Sequence, residues 1–249
     1  YYVPGGTISP HCVFRLAWDE ERGAGMEEGW FGEQNRPGSD DSHLNDPRGV
    51  AVDAKGRVYV CDRGNGRIMI MSSEGRKIET IPVEHPEQIA VHPRTGGIYV
   101  LSRQPPPSAL AKDKLPMSME EYKAWKAREK ARKARRAPAA PTRLIRLPAW
   151  GADRSEKPVV LEADIDLMAL DPESNPPRVW ATIKGQLTSI LDEGGALRPE
   201  TSIEPGKGLL HPGCVAGDPD RNRVLVYDYG VGGKVLSLKL AGGDPLVLL

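Results

Sequence analysis

The stretch DPRGVAVDAKGRVYVCDRGNGRIMIM, Asp46–Met71, decides the fold. GVAVD is a short apolar run, AKG a turn closed by Gly56, RVYVCD a β-branched and aromatic run, RGNG a second turn, and RIMIMS a third run; EGRKIETIPV supplies one more turn and strand. Four strands in about 40 residues form one antiparallel meander. Such a unit cannot bury its two faces alone, so copies of it are expected.

The copies follow. HPEQIAVHPRTGGIYVLSR starts at His85 and resumes in TRLIRLPAW, DIDLMALDPESNPPRVWATIKGQLTSILDEGG starts at Asp164, and HPGCVAGDPDRNRVLVYDYGVGGKVLSLKL starts at His211. The aligned residues Asp53, His92, Asp171 and Asp218 are 39, 79 and 47 apart, and the 79 falls to 41 once the 38-residue segment 104–141 is set aside. A four-stranded unit repeated at this period indicates an all-β β-propeller, a single domain over residues 1–249 in which the sheets pack radially.

Pro47, Gly49, Asp53, Gly56, Asp62, Gly64, Asn65, Arg67 and Ile68 stand in the pattern P-x-G-V-A-V-D-x-x-G-x-V-Y-V-x-D-x-G-N-x-R-I, which closely resembles the NHL repeat. The resemblance covers about four units from Asp46 to Leu249 and implies a propeller, six-bladed in most such proteins. Residues 1–45 read as only an outer half-blade, so the ring is expected to be six-bladed or incomplete within this chain. The resemblance also implies that Asp62 and Asn65 fix a turn while Arg67 pairs with a carboxylate between blades.

Segment 104–141 interrupts the second repeat between its second and third strands. A stiff PPPS precedes a capping box, Ser118 with Glu121, and a helical run that Pro138 stops, so a basic helical insertion is expected. It carries ten Lys/Arg and four Asp/Glu in a chain with 34 of each, leaving the remainder acidic by an equal amount. A cationic helix with aromatic side chains is a common interface composition, which makes Tyr122, Trp125, Lys126, Arg128, Arg132 and Arg135 candidate partner-binding residues, toward other protein subunits. The overall balance of charge and the lack of a binding fold argue against nucleic acid.

The repeats also bring like positions together. Just before the first strand of each unit stand Asp46, His85, Asp164 and His211, and two residues on stand Arg48, Glu87, Asp166 and Gly213. First strands line a propeller's channel, so each set is expected to form a partial ring near one mouth. Two carboxylates and two imidazoles could hold a divalent cation, calcium or zinc; no other cofactor is implied. Among proteins similar to this family, an amidating lyase holds zinc by histidines in PHG-like strand starts. Arg48, Glu87, Asp166 and Gly213 do not reproduce that set, so its catalytic residues do not carry over.

Cys12, Cys61 and Cys214 lie in no metal or disulfide spacing, and no apolar run is long enough to span a bilayer. The start YYVPGG lacks Met, which together with the resemblance suggests a processed, exported protein, periplasmic or extracellular. No contiguous catalytic motif is present. The expected function is therefore a non-catalytic interaction or scaffold propeller in a larger assembly, the alternative being a metal-dependent propeller enzyme, a lyase or lactonase-like hydrolase, with its site in the central channel.

Overall fold

The computed structural model describes residues 2–4, 10–19, 23–104, 142–153, 155–203, 212–218, 223–228, 234–239 and 246–248. All the regular elements are strands apart from a 3-10 turn at Arg63–Asn65, and no α-helix occurs among the described residues. The insertion expected at 104–141, with its six candidate partner-binding residues, lies outside them beyond Gln104.

Among the described residues, five antiparallel meanders follow one another along the chain. The first has three strands, β1 (Tyr2–Pro4), β2 (Pro10–Asp19) and β3 (Gly23–Gln34). Four four-stranded blades come next. Blade one is β4 (Pro47–Val52), β5 (Val58–Asp62), β6 (Arg67–Met71) and β7 (Lys77–Pro82). Blade two is β8 (Pro86–Val91), β9 (Ile98–Ser102), β10 (Thr142–Leu147) and β11 (Val159–Ala163). Blade three is β12 (Ile165–Asp171), β13 (Arg178–Ile183), β14 (Gln186–Asp192) and β15 (Leu197–Ile203). Blade four is β16 (Pro212–Asp218), β17 (Arg223–Asp228), β18 (Lys234–Lys239) and β19 (Leu246–Leu248). The half-blade expected before residue 46 is corrected to three paired strands, because Tyr2–Pro4 pairs with Val13–Arg15.

The strand VYVCD is apolar at consecutive positions because both of its faces are buried. Tyr59 and Cys61 pack with Ile89, Val91, Ile98 and Val100 of blade two. Val58 and Val60 pack the opposite way, with Val13 and Leu44. In β9 the same alternation sends Ile98 and Val100 to blade one, and Tyr99 and Leu101 to Ile165, Val179 and Ala181 of blade three. A strand with period-two side chains and two covered faces belongs to a sheet stacked between two others. Each such side chain contributes roughly 1.5–3 kcal/mol on burial. This face-to-face series of meanders is the arrangement of a propeller.

The NHL-like signature serves the same stacking. The Asp62 carboxylate is fully buried and accepts from the Asn45 N–H (2.7 Å), Asn65 Nδ2 (2.7 Å) and Arg67 Nε (2.6 Å). Arg67 also donates to the carbonyls of Ser39, Asp40 and His43, and Asn65 to that of Gly38. The expected pairing of Arg67 with a carboxylate between blades is thus corrected: it pairs within its own blade and grips the segment that leads in from β3. Gly64 donates its N–H to Asn45 O at 2.7 Å, and a Cβ there would lie 2.6 Å from the Asn45 side chain, so only glycine fits.

At the other end of blade one, Asp53 Oδ1 accepts from the Lys55 and Arg57 N–H groups, while Oδ2 accepts from Arg57 Nε and the Tyr59 hydroxyl. Burial disfavours its charge, but the bonds from Arg57, Tyr59 and Lys55 outweigh that and hold the carboxyl below its ordinary value.

Two outcomes follow from these carboxylates. Asp62→Ala leaves the Arg67 guanidinium without its counter-ion and the Asn45 N–H without its acceptor and is expected to lower unfolding free energy by about 3 kcal/mol in urea melts, whereas exposed Glu74→Ala changes it little. A carboxyl with a depressed folded pKa stabilises above its unfolded value and loses that contribution as pH falls through the folded one. The stability gap between wild type and Asp53→Asn is therefore expected to be widest at neutral pH and to narrow below about pH 4, read by thermal melts across the acid range.

Candidate functional site

In each meander the strand-one starts and the corners after strand two emerge at the same end, which forms one mouth. There the first strands approach closely: a Cβ on Gly49 of β4 would lie 2.9 Å from Glu87 O and 3.0 Å from Gln88 Cα of β8. Gln88 Oε1 in turn accepts from the Met168 N–H of β12 at 3.0 Å. Charged side chains from three consecutive blades flank these contacts.

On the blade-one side, Asp46 Oδ1 lies 2.9 Å from Arg48 Nε and Oδ2 lies 3.0 Å from Arg63 Nη1. The Asp46 N–H donates to His11 Nδ1 at 3.1 Å. On the blade-two side, Arg103 Nη2 donates to the carbonyls of Ile165 (2.9 Å) and Asp166 (2.8 Å), tying β9 to blade three. Its Nε is 3.6 Å from Glu87 Oε2, and Nη2 is 3.7 Å from Asp166 Oδ1. Glu87 Oε2 is buried and has no hydrogen-bond partner. The Glu87 side chain as a whole remains 28% exposed while its Oε2 is buried.

The backbone is strained at the same mouth. Asp46 has φ of 52° and His85 φ of 45°, the left-handed region that side chains other than glycine and asparagine seldom adopt. These are matching positions of adjacent repeats. Strain of this kind costs about 1–3 kcal/mol per residue and collects at functional sites.

The four sequence-predicted ligands fare differently. Asp46, His85 and Asp164 start their strands at this mouth, and His211 lies outside the described residues. Asp46 does not suit a cation, because guanidinium groups occupy both of its oxygens. The His85 carbonyl accepts from the Arg103 N–H and the Asp164 carbonyl from the Lys184 N–H, so both serve through the backbone. No group of three or more metal-ligating side chains occurs among the described residues. Cys61 is buried, and burial pushes its thiol well above the ordinary value, which leaves it a packing residue.

Sequence reading missed Arg63 and Arg103. A signal existed: a cation follows strand two in three successive repeats, Arg63, Arg103 and Lys184. Asp40, Ser42 and His43 resemble a catalytic triad in composition, but Asp40 Oδ1 and Ser42 Oγ both contact His43 Nδ1, at 2.8 and 3.1 Å. No relay runs through the ring.

Residues 44–70 match the NHL repeat. No curated protein sequence matches the chain. Among solved structures, the chain is similar to a catalytically inactive variant of virginiamycin B lyase from Staphylococcus aureus, solved with quinupristin, at 10% identity and a TM-score of 0.51 over 96% of this chain and 63% of that one. A gluconolactonase from Xanthomonas campestris shares 17% identity, with a TM-score of 0.53 over 96% and 69% of the two chains. A protein of Bacteroides uniformis proposed to be a 6-phosphogluconolactonase shares 13%, with a TM-score of 0.53 over 95% and 63%. The chain thus spans 63% of the length of the lyase. At these identities the likeness shows the fold.

The expectation of a non-catalytic scaffold is corrected by these neighbours, which are a lyase and lactonases. It rested on the absence of a contiguous motif, and a propeller does not need one, since each blade delivers its residues to the mouth from about 40 positions further along.

Replacing His85 by glycine removes the steric cost of its left-handed backbone. His85→Gly is expected to match or exceed wild-type stability, by up to about 1 kcal/mol in chemical denaturation, where an alanine at the same place brings no gain.

Proposed function

We propose that this propeller is an enzyme that opens a cyclic ester at the channel mouth, a lactonase-like hydrolase or a lyase. Glu87 is the proton acceptor in this reading, and Arg103 is the cation facing the oxygen on which charge develops. The observation that carries it is the buried, unpartnered Glu87 Oε2 beside Arg103 Nε. A carboxylate with one dry oxygen and a guanidinium close by is suited to take a proton from water or from a carbon next to a carbonyl. The cation alongside stabilises the oxyanion in a site shielded from water. The lyase and lactonase activities of propellers with this architecture support the reaction class. A divalent cation has no part in the steps given, because the described residues do not assemble a ligand set for one.

The test is hydrolysis or elimination of a panel of aldonic acid lactones and cyclic depsipeptides by the purified protein, followed by acid release and by product mass. Turnover that Glu87→Gln reduces by about 100-fold or more, with the melting temperature unchanged, supports the assignment. Inactivity across the panel, or a Glu87→Gln variant as fast as wild type, overturns it.

A further inference from the structure

The charges at the mouth do not cancel locally. On the blade-one side two guanidinium groups, Arg48 and Arg63, share the single carboxylate of Asp46. On the other side two carboxylates, Glu87 and Asp166, share the single guanidinium of Arg103. The mouth is bipolar, with a surplus cation on one side of the Gly49–Glu87 contact and a surplus anion on the other.

The cationic side is built rather than merely exposed. Arg63 is held in the 3-10 turn with its side chain only 14% exposed, and its Nε is buried without a hydrogen-bond partner. Arg48 is 49% exposed and pairs through Nε with Asp46 Oδ1 at 2.9 Å. His11 accepts the Asp46 N–H on Nδ1, which puts the ring proton of the neutral imidazole on Nε2. Asp46 organises all three, and does so from a left-handed backbone that stability alone does not favour. A carboxylate paired with two arginines, one of them half exposed, is suited to bind an oxyanion, since a guanidinium can engage it in two-pronged fashion.

We infer that Arg48, supported by Arg63, His11 and Asp46, forms an anion subsite that takes a carboxylate or phosphate group. In assigning that group to the substrate, the inference rests on the reading of the mouth as a catalytic site; the binding itself stands apart from it. The substrate class is an anionic cyclic ester, its charged group against Arg48 and its ester toward Glu87.

Calorimetric titration of the full chain with inorganic phosphate and, separately, with gluconate at low ionic strength tests this without requiring turnover. Saturable binding of either anion is expected, and which of the two binds more tightly distinguishes phosphate from carboxylate recognition. Arg48→Ala should weaken it at least 10-fold with the melting temperature preserved, Arg48→Lys should restore part of it, and Arg94→Ala, at the opposite end of blade two, should leave it unchanged. Absence of saturable binding by wild type, equal binding by Arg48→Ala, or equal weakening by Arg94→Ala overturns the inference. Arg48-dependent binding by a protein that turns over no cyclic ester would retire the catalytic reading and leave the subsite; turnover without Arg48-dependent binding would retire the subsite alone.

Discussion

A buried carboxylate organises the first blade and what is built on it. Asp62 is sealed from solvent at the end of β5, where three donors converge on it. Removing water from a carboxylate costs several kcal/mol, and hydrogen bonds to a cation and to neutral donors offset that cost when every lone pair is engaged. One of those donors is the N–H of Asn45, the residue that precedes Asp46. The charge that locks the turn of the repeat therefore also sets where the chain enters the mouth.

From that point the geometry propagates by contact. Asn45 positions Asp46, Asp46 fixes Arg48 and Arg63, and Gly49 lets β4 close on the backbone at Glu87. Arg103 then spans from blade two to the carbonyls at the start of blade three. Of the four non-glycine residues with left-handed backbone among the described residues, Asp46 and His85 sit on this path, and Asn35 and Lys184 occupy turns. Rigid blades hold the strained starts in place, because sheets covered on both faces leave the strands little freedom to relax.

At the opposite end of the molecule charged groups join one blade to the next. Tyr99 of blade two donates to Asp192 of blade three at 2.6 Å, and Arg146 Nε lies 3.3 Å from the same carboxylate. Burial and the neighbouring Asp192 push the Tyr99 hydroxyl far above its ordinary value, so it remains a donor. Arg57 meanwhile stacks on Trp150, whose indole N–H reaches Glu79. These contacts join blades, and each end of the blades keeps buried nitrogen or oxygen atoms without a hydrogen-bond partner, Arg146 Nε there and Glu87 Oε2 and Arg63 Nε at the mouth.

Local sequence determined the meander, its period and the stacking, since continuous apolar runs such as VYVCD and IYVLS are stable only as strands covered on both faces. It also determined that Asp62, Asn65 and Arg67 are structural, and it brought Asp46, His85 and Asp164 to one end of the fold. What it could not settle is which charges there are spent on one another. That depends on side chains meeting across strands and blades at distances that repeat alignment does not encode: Arg63 reaches back to Asp46 within blade one, and Arg103 reaches from blade two toward Asp166 of blade three. Tertiary structure alone showed that Asp46, expected as a metal ligand, has a guanidinium group on each of its oxygens, because the partners Arg48 and Arg63 are set by how the strands pack and not by the repeat.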